Sequence, residues 1–127
     1  MEFRPQDTRG RLIEANGDGR FRVAGLVLTG SILIGRGGVA PWPLTSVATA
    51  TPNELFDSFA PLLAGESLPE ILLVGCGVQG VLLPAELRAR LKALGISVES
   101  MDTGAACRTY NVLAAEDRLV AAALIAV

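Results

Sequence analysis

The chain has 127 residues, half of them hydrophobic, with a formal net charge of −2 and no histidine. Its length suits one domain over 1–127 with a core of its own, and its charge argues against a general nucleic-acid binder. The missing histidine excludes Ser-His-Asp and Cys-His catalysis and any imidazole zinc site, and two cysteines alone cannot complete a four-ligand site, so neither metal nor cofactor is expected.

The first twenty residues are polar, carry the turn signals of EANGDG and read as an irregular or extended lead-in. FRVAGLVLTGSILIG follows, with Val23, Leu26, Val27, Leu28, Ile32, Leu33 and Ile34 punctuated by Gly25 and Gly30. This predicts short strands turning on glycine, an antiparallel hairpin or meander. RGGVAPWPL breaks regularity, and Trp42 between Pro41 and Pro43 is read as an anchor for that loop.

TPNE opens a helix, with Thr51 as cap, Pro52 in the first turn and Glu54 completing a capping box. Leu55, Phe56, Phe59 and Leu63 form its apolar stripe, Pro61 bends or ends it, and Gly65 closes it. ILLV (71–74) is a buried strand. PAELRARLKALG is a helix burying Leu87, Leu91 and Leu94, with Glu86 and Arg90 as an exposed i, i+4 pair. ISVESM is a strand, TYNVLAAEDR a short helix capped by Thr109, and LVAAALIAV the last strand. The predicted fold is a three-layer α/β sandwich with a parallel β-α-β-α-β core and an N-terminal antiparallel hairpin.

No apolar run reaches the roughly 18 residues of a membrane span, and MEFRPQDTRGR has no apolar stretch behind it. A soluble cytoplasmic protein with reduced thiols is therefore expected. Charge is uneven: Arg4, Arg9, Arg11, Arg20, Arg22 and Arg36 crowd the start. Between Gly37 and Leu87 only acids occur, namely Glu54, Asp57, Glu66, Glu70 and Glu86. This is read as an ordinary solvated surface, though it suits contacts with a complementary partner.

Two stretches carry candidate chemistry. EILLVGCGVQG places Gly75, Gly77 and Gly80 as G-x-G-x-x-G after a strand, with Glu99 or Asp102 at about the expected downstream spacing of roughly 20 residues. Against a dinucleotide site, VLLP separates Gly80 from the helix start, and about forty residues follow, too few for a second half. MDTGAACRTYNVLAAEDR sets Asp102, Thr103, Arg108, Thr109, Tyr110 and Asn111 at a strand-to-helix junction, where amides and a guanidinium can hold a phosphate or carboxylate. Asp102 can equally be the anion itself, bonded to the helix start and to Arg108 or Arg118, with Glu116 and Arg118 in a structural network. As an enzyme the chain would need Cys107 or Cys76 as nucleophile, Tyr110 as acid and Asp102 or Glu116 as base. The simpler reading makes Cys107 a small buried hydrophobe and Tyr110 a core aromatic.

Met101-Asp102-Thr103 with Ala106, Arg108-Thr109-Tyr110-Asn111 and Glu116-x-Arg118 together resemble the signature of a small domain family. It includes the third assembly factor of mitochondrial NADH:ubiquinone oxidoreductase (complex I), the adipogenesis-associated domain protein and many uncharacterised bacterial and archaeal proteins. The strands around Phe21–Ile34, Trp42-Pro43 and the Gly75 and Gly77 turn extend the resemblance over nearly the whole chain. Cys76 departs from it, standing where a threonine or similar small residue is common. The resemblance implies a bacterial, non-enzymatic α/β domain that acts by binding another protein, as its respiratory-chain relatives do. The partner and the oligomeric state stay open. The alternative is a small-anion or nucleotide-binding protein using Gly75–Gly80 and Thr103–Asn111.

Overall fold

A computed structural model describes residues 12–65 and 67–127. Arg4, Arg9, Arg11, Glu66 and most of the polar lead-in lie outside them.

Ile13–Gly17 (β1), Arg20–Val23 (β2) and Leu26–Thr29 (β3) form an antiparallel sheet in the order β1-β2-β3. The expected hairpin or meander is thus a three-strand meander that begins inside the supposed lead-in and ends at Thr29, while Ile32, Leu33 and Ile34, expected in the same unit, belong to a second sheet. Gly17 pairs with Arg20 and Val23 with Leu26, leaving two-residue loops at Asp18-Gly19 and Ala24-Gly25. All four loop residues have positive φ, the geometry of tight hairpin turns whose twist matches the strands. IEANG gave no strand signal because Ile13 is its one buried residue, so no alternation of apolar and polar positions marks it.

Ile32–Gly35 (β4) and Gly38–Pro41 (β5) are antiparallel neighbours. β5 corrects the expectation of an irregular loop there: it is an edge strand, where a terminal proline interrupts no ladder. Beyond it Trp42 is buried as expected, its Nε1 donating to Ser58 Oγ at 2.8 Å and its ring lying 6.0 Å from Phe59.

Pro52–Ser58 (α1) starts with the predicted capping box, Glu54 N–H donating to Thr51 Oγ1 and Thr51 N–H to Glu54 Oε1. The helix breaks at Phe59, ahead of Pro61, and Ala60–Leu63 (α2) restarts with the proline in its first turn, where the missing N–H removes no helical bond. Ile71–Gly75 (β6), Ala85–Ala93 (α3), Ser97–Met101 (β7), Thr103–Ala115 (α4) and Val120–Leu124 (β8) complete the chain. Leu94 is the last-turn cap of α3 and is exposed rather than buried. Arg90 does not pair with Glu86. It lies 3.9 Å over the Phe56 ring and donates to Asn53 Oδ1 at 2.7 Å, tying α3 to α1.

The second sheet has the order β5-β4-β8-β6-β7, with β6 parallel to β7 and β8 and β4 antiparallel to β8. The whole is a mixed α/β fold of one antiparallel three-strand sheet and one mixed five-strand sheet. Pleating sends Leu33, Leu72, Val74, Ala121 and Ala123 to one face, where they meet Leu55 of α1, Phe59 at the break, Leu62 of α2, and Leu87 and Leu91 of α3. Ile32, Ile34, Leu73, Val120, Ala122 and Leu124 take the other face, against Ala106, Cys107 and Tyr110 of α4 and Phe21 of the small sheet. The strands near the middle of the five-strand sheet therefore read as continuous aliphatic runs.

Candidate functional site

β6 delivers Gly75 to the point where α4 starts. A Cβ there would lie 3.0 Å from Thr103 Cα and 3.0 Å from Leu124 Cδ2, so the glycine lets the helix start close onto the strand ends. Gly77 has φ +101°, a conformation that side chains resist. Gly80 has neither constraint. A Cβ on it would rest 3.6 Å from Met101 Cα, an ordinary contact.

Thr103 stands at the centre and is fully buried. Its hydroxyl donates to Ile125 O at 2.7 Å and accepts from Gly77 N–H at 2.9 Å, while its own N–H donates to Gly77 O at 2.8 Å. Ile125 N–H donates to Gly75 O at 2.9 Å, and Cys76 N–H to Met101 O at 2.8 Å. One hydroxyl thus links the glycine turn after β6, the start of α4 and the end of β8.

The expectation for the helix itself needs correcting. α4 begins at Thr103, six residues before Thr109, and its cap is Asp102, whose Oδ1 accepts from Ala105 N–H at 2.9 Å. The small residues Gly104, Ala105 and Ala106 form its first turn and not a bend ahead of it. Arg108 is exposed and makes no ion pair with Asp102. Thr109 donates to Met101 Sδ at 3.7 Å. Tyr110 is buried in the core. Asn111 accepts from Ile13 N–H at 2.8 Å and donates to Ile13 O at 3.0 Å, pinning the first strand of the small sheet to α4.

Glu116 and Arg118 have exposed side chains and do not pair. Their backbone ends α4: Asp117, with φ +60°, donates its N–H to Ala114 O, and Arg118 N–H reaches back to Leu113 O at 3.0 Å. That is a left-handed helix stop with two orphan carbonyls satisfied. The ion pair at this corner joins Asp117 to Arg36 at 2.8 Å.

The structure therefore brings Gly75, Gly77, Asp102 and Thr103 together in a closed junction. Thr109 lies nearly two turns along the helix, and Tyr110 and Asn111 sit in the core and against β1. Burial pushes the Cys107 thiol up to about 11, with Arg108 drawing it down and Asp102 adding to the rise. Cys76 is also pushed up by burial. Neither is the depressed thiol that a nucleophile needs.

Sequence patterns missed what lies outside the junction. Val78 and Leu82 are 85% and 83% exposed, on the loop that leads from Gly77 to α3. VQGVLLP has no periodicity to separate these two from buried Leu83. A cavity of about 570 Å³ opens away from the junction, lined by Pro61, Leu62, Leu68 and Pro69 beside Leu119 and Arg36. Among the described residues no group of three or more potential ligands could hold a metal, and no helix is long and apolar enough to cross a membrane.

Residues 13–125 match the family described as "Protein of unknown function (DUF498/DUF598)". An uncharacterized protein of Rhodobacter capsulatus is 39% identical over 113 residues, covering 89% of this chain and 82% of that protein. Human NADH dehydrogenase (ubiquinone) 1 alpha subcomplex assembly factor 3 is 30% identical over 106 residues, 83% of this chain but 58% of the human protein, so the match spans less than two thirds of that relative. Among solved structures, an outer membrane protein from Bartonella henselae superposes with TM-score 0.79 at 38% identity over 98% of both chains. A Bordetella pertussis protein described as a Mth938-like domain superposes with TM-score 0.78 at 35% identity, over 99% of this chain and 92% of that one. The chain belongs to the DUF498/DUF598 family of proteins of unknown function.

Proposed function

We propose that this chain is a protein-binding module of the assembly-factor kind, one domain acting in the cytoplasm without chemistry of its own. Within the mixed five-strand sheet, β6, β7 and β8 with α3 and α4 are read as the parallel β-α-β-α-β core of a three-layer sandwich. Gly75, Gly77, Asp102 and Thr103 act as a lock between its strand ends. The observation that carries the reading is a contrast within one junction. Its polar groups bond to one another, while Val78 and Leu82 on the adjoining loop face water. Two exposed apolar side chains on a short loop suit docking against a protein surface better than a solvated turn. The relatives named as complex I assembly factors support the same direction. A small anion at the glycine turn would have to displace Thr103 from Gly77 N–H and Met101 from Cys76 N–H.

The test is photo-crosslinking in the native host with benzoyl-phenylalanine at position 82, using position 112 on the outer side of α4 as control. A discrete protein adduct from position 82 supports the reading. Adducts from neither position, together with thermal stabilisation by phosphate or nucleotides, would replace it with the anion-binding alternative.

A further inference from the structure

β7 forms one side of the five-strand sheet, and among the described residues no strand pairs with its outer side. On its inner side Ser97 N–H donates to Glu70 O and Met101 O accepts from Cys76 N–H, both at 2.8 Å. Ser97, Glu99 and Met101 therefore turn their backbone groups toward β6, and alternation turns those of Val98 and Ser100 outward. An outward row of this kind is a template for an added strand.

The flank of that edge is basic. Leu87 and Leu91 point α3 at the sheet. Arg88 and Lys92, one position further on, are turned by about 100° about the helix axis. They line a groove of about 430 Å³ with Gly95, Ile96, Ser97 and Val98. Arg90 is turned the other way, onto Phe56 and Asn53. Arg88 and Lys92 are both exposed, and neither forms an ion pair with another described residue. Val98 packs on the α3 side, so a strand laid along β7 would place every second side chain beside these two cations. On the opposite face the exposed Glu99 disfavours acids. Gly80 passes close to Met101 at the other end of β7, and the exposed Val78 and Leu82 stand two residues to either side of it.

We propose that the outer edge of β7 takes an extended acidic segment of a protein partner, adding a sixth strand to the sheet. The segment carries Asp or Glu at alternate positions facing Arg88 and Lys92, and an apolar residue at the end that meets Val78 and Leu82. This rests on the protein-binding reading and names the surface and the chemistry of the partner. A second copy is a poorer occupant. A two-fold axis normal to the sheet keeps both α3 helices on one face and sets Arg88 and Lys92 of each copy across the seam from those of the other.

The probe is a displayed library of random dodecapeptides selected against the whole chain. Enriched sequences should alternate acidic residues, and their binding should shift the backbone amide resonances of Val98 and Ser100. Arg88→Glu with Lys92→Glu, both at exposed positions, should weaken that binding about tenfold or more. Ser100→Pro, which removes an outward N–H and spares the ladder to β6, should abolish it. No enrichment, enrichment without acidic alternation, unchanged Val98 and Ser100 amides, or a dimer built through β7 would each overturn the proposal. If photo-crosslinking from position 82 succeeds and survives Ser100→Pro, the edge is the wrong surface while the protein-binding reading stands. If no protein is crosslinked at all, that reading fails with it.

Discussion

Thr103 is the single residue on which most of the junction converges. Replacing its hydroxyl by a methyl in Thr103→Val strips the Gly77 N–H of its acceptor and Ile125 O of its donor, in a site closed to water. Leaving buried polar groups unsatisfied costs about 2–4 kcal/mol in total, which urea denaturation should report, while Thr103→Ser keeps both bonds and should lose less than about half as much. Cys107 makes a separate prediction. With its thiol raised to about 11 by burial, it stays protonated in the folded protein while an unfolded chain ionises near about 8.5. Iodoacetamide at pH 8 should therefore leave Cys107 unmodified until the protein unfolds. Stability should also decline as pH rises from about 8.5 toward 11, because over that window the unfolded chain binds fewer protons. Cys107→Ala should flatten the decline. Rapid alkylation of Cys107 in the folded protein would contradict both expectations.

At the scale of elements, α4 ties the two sheets together, and it does so through Asn111. Its side-chain amide bonds both backbone groups of Ile13, as a neighbouring strand would. Asn111→Ala should cost about 1–2 kcal/mol and speed amide exchange across Ile13–Gly17 more than across Val120–Leu124, read by hydrogen exchange. Helix starts were legible in the sequence where side-chain chemistry was explicit, as in the Thr51-Pro52-Glu54 box. The start of α4 was missed because Gly104, Ala105 and Ala106 look like a turn, although Asp102 is an equally good cap and small residues suit a helix packed hard against Gly75. β1 and β5 were missed for another reason. They are edge strands whose pairing is set by the turns between them and their neighbours and not by an apolar pattern.

Across the whole molecule, the five-strand sheet has one edge at β5 and the other at β7. That Gly75, Gly77, Asp102 and Thr103 are neighbours was legible because each lies at a strand-to-helix junction, although the cap was read as Thr109 and not Asp102. Their closure was not, since it depends on Ile125, which comes to Thr103 only once β8 has paired with β6. The exposed loop and the basic flank of β7 were hidden for the same reason: which side of a helix faces a sheet edge is a property of the assembled fold. The central claim is that the junction is bonded for stability and holds no ligand. The most direct measurement is urea denaturation of the wild type and Asp102→Ala, each with and without millimolar phosphate or ATP. The account predicts that the variant loses about 1 kcal/mol through its helix cap and that neither anion stabilises either protein. An unchanged stability without anion, joined to stabilisation of the wild type by phosphate or ATP that the variant lacks, would contradict it.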